Sequence, residues 1–346
     1  MKKELVGIDV FCGCGGLTLG LQQAGIKVLK GIDIDKTVEK TYTDNNKNTI
    51  FINEDVRKVS GYKLIKDIDR SKKTILLAGC APCQPFSNQN RNPTKKDRRK
   101  SLIISFARLI TEILPEYVLI ENVPGFMKKT NKYHRDLIEI LVKLDYSYIE
   151  EVINAADYGV PQKRHRYILL ASKEGKIALP EGSYGPGKAP YNTVRDAIIK
   201  YPRIRPGSTN STIPNHVSRN LSPINLKRMK FIPKNGGSRK NLPSKLILEC
   251  HKTYSGHSDV YGRMNWDLPA PTLTCKCTSF TNGRFGHPSQ NRAISVREAA
   301  AIQTFPDTYV FYGNVTDISR HIGNSVPVDL ARSIGKSLVS ISEDTN

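Results

Sequence analysis

Apolar residues along this chain fall into two rhythms. Short apolar runs bounded by glycine, proline or acidic residues predict strands over 5–10, 27–32, 50–52, 74–78, 117–120, 148–153 and 167–170. Apolar residues at helical spacing predict helices between them: from Leu17 to Ala24, ended by Gly25; over 102–114, closed by Pro115; and over 137–144. Several of the strands run out at their carboxyl ends into residues able to do chemistry, which is where open α/β sheets bind ligands.

The rhythm changes at about Glu174. From there to about Phe285, Pro, Gly, Ser and Asn punctuate short apolar pieces, which predicts a separate, loop-rich and partly β domain. Ser295 stands three residues before Glu298, a capping box that opens a helix over 295–303. The amphipathic stretch 328–339 predicts a last helix, placed to return over the sheet that opens at Leu5. A chain of 346 residues can bury a large core, as one big domain or two smaller ones.

Charge then narrows the partner. The formal net charge is +21, from 53 Lys and Arg against 32 Asp and Glu. This favours a polyanion, and nucleic acid over membrane, because no basic amphipathic helix stands out; the competing reading is a Lys-rich solvated surface. Residues 195–263 hold 14 Lys and Arg against 3 Asp and Glu, +11 of the total, and a second basic run fills 91–100. There is no apolar stretch of about 18 residues and no signal-peptide pattern, so a soluble, cytoplasmic protein is expected. Seven cysteines, an odd number, argue for reduced thiols.

The candidate chemistry sits on the strand ends. The run 74–78 leads into Gly79-Cys80-Ala81-Pro82-Cys83-Gln84-Pro85-Phe86-Ser87, where two prolines stiffen the loop around Cys83. Cys83 is a candidate nucleophile; a buried thiol, or half of a zinc or redox pair with Cys80, fits this stretch as well. The first strand ends in a glycine turn, Cys12-Gly13-Cys14-Gly15-Gly16, that opens a helix, a layout suited to a nucleotide-like ligand. Thr18 stands where GxGxxG would place its third glycine, so an adenosine-containing cofactor other than a dinucleotide is expected. Asp33 follows Gly13 by 20 residues, the separation at which an acid accepts from ribose hydroxyls, and Asp55 ends the third strand. Glu121 ends a fully apolar strand as either a satisfied polar group or a reagent. Arg164 and Arg166 alternate at the entrance to 167–170 and point to one face; solvated arginines are the ordinary form of such a pair.

Taken together and in order, DVFCGCGGLTLG, GCAPCQPFS, ENVPGF, QKRHR, RMNWDLPAPTLT and HIGNSVPVDLA resemble the motifs of the cytosine-C5 DNA methyltransferase family, of the bacterial restriction-modification type. The resemblance spans nearly the whole chain except about 180–260. It implies a Rossmann-like S-adenosylmethionine-dependent α/β fold, a mostly parallel sheet with helices on both faces, plus a smaller loop-rich target-recognition domain. Residues 1–178 and 315–346 would form the catalytic, cofactor-binding domain and 179–314 the target-recognition domain.

The same resemblance implies the site. Cys83 would attack C6 of a flipped-out cytosine, Glu121 would hold N3 and the exocyclic amine, and Arg166, with Arg164 alongside, would hold O2. S-adenosylmethionine would lie against Phe11, Gly13, Gly16, Asp33, Ile34, Asp55, Val56, Pro82, Leu102, Asn324, Ser325 and Val326. Ile34 departs from the aromatic residue the family often has after the ribose acid. Beyond the resemblance, the basic run is expected to put Ser87, Arg91, Arg98 and Arg99 on a loop that closes over duplex DNA, and Arg228, Arg239 and Arg263 of the target-recognition domain are expected to meet either guanine edges or phosphates. Cys80 is expected to be a passive residue of the strand end. No metal is expected, since no cysteine pair has a well-spaced partner; a monomer is expected, and a companion restriction endonuclease acting on the same site is a possible partner. Two rivals remain: a tRNA cytosine-C5 methyltransferase of the same fold, and a non-catalytic DNA-binding relative. The basic recognition region favours DNA, and the intact set of Cys83, Glu121 and Arg166 favours an enzyme.

Overall fold

The alternating rhythm of the first half builds one seven-stranded sheet. The structure, a computed structural model, describes residues 3–81, 102–128, 130–175, 177–252, 256 and 259–345. In chain order the elements are β1 (Glu4–Val10), α1 (Gly16–Gln23), β2 (Lys27–Asp33), α2 (Glu39–Asn45), β3 (Ile50–Asn53), α3 (Gly61–Ile65), β4 (Lys73–Gly79), α4 (Leu102–Ile113), β5 (Tyr117–Asn122), α5 (Lys132–Lys143), β6 (Ser147–Asn154) and β7 (His165–Ser172). They are followed by α6 (Val194–Ile198), α7 (Pro223–Phe231), α8 (Val296–Ile302), α9 (Val315–Asn324) and α10 (Val328–Thr345).

The sheet order is β3-β2-β1-β4-β5-β7-β6. Neighbours from β3 to β5 are parallel, and β7 runs antiparallel to both β5 and β6. Strand order reverses between β1 and β4, the point at which such sheets leave a crevice at their carboxyl ends. Val6, Ile8 and Val10 share one core with Ile75, Leu77, Val118, Ile120 and Leu169, closed by Phe106, Leu109 and Ile110 of α4 and Leu137 and Leu141 of α5. The alternate residues Leu5, Leu76, Ala78, Leu119, Ile168 and Leu170 are buried too. Burial on both faces is why these strands read as continuous apolar runs.

Helix α5 starts at Lys132, ahead of the predicted 137, because Asn131 caps it by accepting from the Tyr133 amide at 3.1 Å. Its first turn is polar, so apolar spacing does not register it. Helix α10 does return, packing along α1 at Gly20, where a Cβ would lie 2.4 Å from Ala331 Cβ and 2.5 Å from Val328 O. Among the described residues no helix is long and apolar enough to cross a membrane.

The chain forms two compact units: Met1–Tyr158 with His165–Gly182 and Val326–Asn346, and Gly159–Arg164 with Ser183–Ser325. The expected boundaries therefore shift, since 159–164 and 315–325 group with the second unit. Buried side chains explain it: Gln162 Nε2 donates to Gln303 Oε1 at 2.9 Å, and Arg164 donates to the carbonyls of Leu273, Gly323 and Ser325 at 2.9, 3.1 and 3.2 Å. The second unit is loop-rich as expected but not partly β. Among its described residues there are isolated bridges, such as Thr209 with Val217, and no strand. Its core gathers Leu221, Met229, Ile232, Tyr261 and Phe280. The predicted capping box is present, with Ser295 Oγ accepting from the Glu298 amide at 3.1 Å and Glu298 accepting from the Ser295 amide at 2.7 Å.

Replacing Gly20 with valine should force α1 and α10 apart and destabilise the protein by about 2–3 kcal/mol, the usual cost of overpacking. Urea denaturation of the variant beside wild type measures it.

Candidate active site

Strand register brings three side chains together at one edge of the sheet. Gly79 of β4 pairs with Ile120 of β5, so Cys80 and Glu121 leave the sheet side by side. Glu121 pairs with Ile168 of antiparallel β7, which places Arg166, two residues before Ile168, on the face of Glu121. Arg166 Nε lies 2.8 Å from Glu121 Oε1, and Cys80 Sγ lies 2.6 Å from Glu121 Oε2. The Arg166 Nε–H is not aligned for a hydrogen bond, so the two side chains meet as a charge contact; Arg166 Nη1 donates to His165 O at 2.7 Å. Glu121 is 2% exposed, and an ionised carboxylate there needs its cation: removing one partner of a buried pair costs about 3–5 kcal/mol. Asn122 Nδ2 reaches Ala81 O at 3.3 Å and ties the next residue to the same loop.

Cys80 is thus not passive, since its thiol contacts the carboxylate. Nothing in the apolar pattern marks it; only the β4–β5 register does. Pro82, Cys83, Ser87, Arg91, Arg98 and Arg99 lie outside the described residues.

The first turn is tightly specified. Phe11, Gly13 and Gly15 all adopt positive φ, 64°, 51° and 87°, and Phe11 does so without the freedom of glycine. The Gly13 amide donates to Asp33 Oδ2 and the Asp35 amide to Asp33 Oδ1, each at 2.8 Å. The Asp33 carboxyl therefore fastens the end of β2 to the turn. Burial, opposed in part by those amides, raises it above its ordinary value. Each of its oxygens retains a second lone pair for another donor. Gly16 begins α1 and is buried, while Ile34 is 65% exposed beside Asp33. Asp55 is held by Arg57, whose Nε lies 2.9 and 3.0 Å from the two carboxylate oxygens, and these bonds lower its carboxyl below the ordinary value. Val56 is buried, and Leu102 and Phe11 are partly buried against the same core. Val326 belongs to this unit; Asn324 and Ser325 belong to the second, where Asn324 Oδ1 accepts from Cys275 Sγ at 2.9 Å.

Beneath the turn lies a group that sequence reasoning missed. Asp9, fully buried at the end of β1, accepts from Thr18 Oγ1 at 2.6 Å, and Thr18 Oγ1 lies 2.8 Å from the Tyr42 hydroxyl. Its Oδ1 has no hydrogen-bond partner among the described residues. Burial pushes its carboxyl up to about 7, against the Thr18 hydrogen bond and with a contribution from Asp33. An aspartate inside an apolar strand was the available signal.

The basic residues divide differently from expectation. Arg164, 1% exposed, donates to three carbonyls of the second unit, and it is Arg166 that pairs with Glu121. Arg263 is also 1% exposed, and donates to the carbonyls of Ile232, His287, Gln290 and Met229 and to Asn291 Oδ1. Burial pushes Arg263 down to about 10. Arg228 is buried against Leu246 O and the Tyr261 ring. Arg263 and Arg228 are therefore braces of the second unit in this structure, which corrects the expectation that they meet DNA. Arg239 is half-buried, with Nη2 donating to Gly256 O at 2.8 Å. Among the described residues no group of three or more His, Cys, Asp and Glu could hold a metal ion.

A family described as C-5 cytosine-specific DNA methylase matches residues 5–340. A curated relative, Type II methylase M.HgiDII of Herpetosiphon aurantiacus, is 42% identical, covering 96% of this chain and 94% of its own. Type II methyltransferase M1.HphI of Haemophilus parahaemolyticus is 34% identical, covering 98% and 87%. A solved E. coli prophage protein, taken to be a DNA modification methyltransferase, is 27% identical with a TM-score of 0.71, over 97% of this chain and 99% of that one.

The Asp9 carboxyl sets a pH dependence. Its folded value, about 7, lies above the ordinary 3.8, so between those values the folded protein keeps a proton that the unfolded chain has lost. The stability tied to it is complete below about pH 4 and is lost as pH rises through 7. Asp9→Asn should flatten that fall and exceed wild type at pH 8 by on the order of 1–2 kcal/mol. Parallel denaturation profiles for the two proteins from pH 5 to 8 would contradict it.

Proposed function

The chain belongs to the C-5 cytosine-specific DNA methylase family and is an enzyme of the DNA (cytosine-5-)-methyltransferase type, and from that premise we propose how its residues carry the reaction. A cytosine flipped out of duplex DNA is the acceptor, and the methyl group goes to its C5 through a covalent bond between Cys83 and C6. S-adenosylmethionine, when bound, supplies an electrophilic methyl group on sulfur. The Cys83 thiolate adds to C6, and the displaced π electrons make C5 the nucleophile that takes the methyl group. Loss of the C5 proton to a base then returns an electron pair to the ring, and the C6–S bond breaks to restore the thiolate.

The observation that carries this reading is the pairing of Glu121 with Arg166 at adjacent strand ends, on the edge where β4 continues toward Cys83. The Glu121 carboxyl would face N3 and the exocyclic amine, and Arg166 would face O2. Both withdraw electron density from C6. The cation also favours the thiolate of Cys83. The chain fits the cofactor by its own chemistry: a strained turn with remaining acceptor capacity on the partly buried Asp33, an exposed aliphatic at Ile34, and the Asp55–Val56 loop. Ile34 would contact adenine, and Leu102, Asn324, Ser325 and Val326 are assigned to the cofactor by family position alone. Pro82 and Ser87 retain their proposed places near cofactor and DNA by their position in the catalytic motif, and Arg91, Arg98 and Arg99 theirs near DNA by the basic run that follows it. We further propose a duplex site as the target, a companion endonuclease of the same specificity, and a cytoplasmic, monomeric enzyme.

Duplex DNA carrying 5-fluorocytosine at the target position blocks the final proton loss and should trap wild type as a covalent adduct in the presence of S-adenosylmethionine. Cys83→Ser should give none. Denaturing electrophoresis reads both, and a wild type that methylates its site without being trapped would overturn the covalent route.

A further inference from the structure

The loop after β3 holds Asp55 and Val56, assigned above to S-adenosylmethionine, yet β3 gives it little support. That strand is four residues long and lies at the edge of the sheet. The loop is held from another direction, by two side chains one turn apart on α4. Arg108 Nη2 donates to Val56 O at 2.9 Å and to Val59 O at 2.8 Å. Arg108 Nη1 meets Glu112 Oε1 at 2.5 Å, and Glu112 Oε2 accepts from the Gly61 amide at 2.5 Å. One ion pair thus spans the loop, with its cation on two carbonyls and its carboxylate on the amide that opens α3.

The approach is close enough to dictate a residue. A Cβ at Gly61 would lie 2.7 Å from Glu112 Cβ and 2.9 Å from Ile113 Cγ1, so only glycine lets α3 sit against α4 there. Val56 and Val59 are buried in the core that α4 closes, which fixes the loop from its apolar side as the ion pair fixes it from its polar side. A planar guanidinium suits this work, because its donors can reach two carbonyls and a carboxylate at once; an ammonium has no such fork.

We propose that Arg108, oriented by Glu112, is a positioning residue for S-adenosylmethionine: it sets the conformation of the Asp55–Val56 loop without touching the cofactor, and so sets cofactor affinity. This rests on the cofactor assignment made above and adds a residue on a different element. Because the loop conformation serves ground state and transition state alike, its loss should weaken binding and leave the chemical step alone. The ion pair itself is one-third exposed on the arginine side, so its charge attraction contributes little, and the effect comes from the carbonyl bonds.

The test uses full-length Arg108→Met and Arg108→Lys beside wild type. Calorimetry gives the dissociation constants of S-adenosylmethionine and S-adenosylhomocysteine, and steady-state methylation of DNA separates KM from kcat. The methionine variant should bind both ligands about tenfold more weakly, the loss expected for one to two hydrogen bonds, with kcat at saturating cofactor within about twofold of wild type. The lysine variant should fall between the two. Glu112→Gln keeps the packing and should weaken binding by about threefold, which carries the test if the methionine variant does not fold. Affinities within about twofold of wild type in the folded variants, or a loss confined to kcat, overturn the proposal. A wild type that binds neither ligand overturns the cofactor assignment and the proposal together, whereas binding that the variants leave unchanged overturns the proposal alone.

Discussion

A buried carboxylate must be compensated, and the order of the sheet follows from how Glu121 is. It is the last residue but one of β5, in the interior of the sheet, where desolvation of an unpaired charge would cost several kcal/mol. A parallel neighbour delivers only its carboxyl end to that edge, and β4 does so with Cys80. A cation at the entrance of a strand reaches the same edge only if that strand runs the other way. β7 is antiparallel to β5, and its second residue is Arg166. The reversal at β7, next to a set of parallel neighbours from β3 to β5, is therefore what joins Arg166 to Glu121.

The amino-terminal half of the edge is built on a second buried acid. Thr18 breaks the dinucleotide glycine pattern, and its hydroxyl serves Asp9 and Tyr42 instead. Tyr42 reaches that position past Gly31, where a Cβ would lie 2.1 Å from its hydroxyl. The departure from GxGxxG is thus coupled to a glycine on the next strand and a tyrosine on α2. Asp33, through the Gly13 amide, links the same turn to β2. Turn, strand and helix are held by polar contacts in a place where apolar packing alone would leave the left-handed Phe11 uncompensated.

Much of this was legible in the chain. All seven strands of the sheet were visible as apolar runs because both faces of most of them are buried, and α10 was visible as an amphipathic stretch. Glu121 and Arg166 were nameable from the residues at strand ends. What periodicity could not give was the contact between them, because that depends on β7 running antiparallel, and no local pattern records strand direction. Cys80 was misjudged for the same reason: its neighbour is 41 residues away, set by register. The polar first turn of α5 hid its start. Arg108 and Glu112 stand four residues apart on α4, and only the fold shows what lies between them.

The second unit explains why charge was read less well than shape. A unit with no strand among its described residues leaves many carbonyls without a ladder partner, and a buried carbonyl needs a donor. Guanidinium groups supply them in number, five N–H bonds in a fixed fork. Arg263 takes four carbonyls, Arg297 takes those of Pro214, Pro306 and Tyr309, and Arg164 takes three more. Arg292 is spent on Glu298, whose carboxyl burial alone would raise but which Arg292 holds at about 2. A basic composition in a loop-rich domain is therefore partly the cost of having loops inside. The same residue type that would bind a phosphate outside replaces the missing sheet within, and counting charges along the sequence cannot separate the two. Burial separates them: Lys227, Lys230 and Lys240 are exposed, and the arginines that hold the unit together are buried.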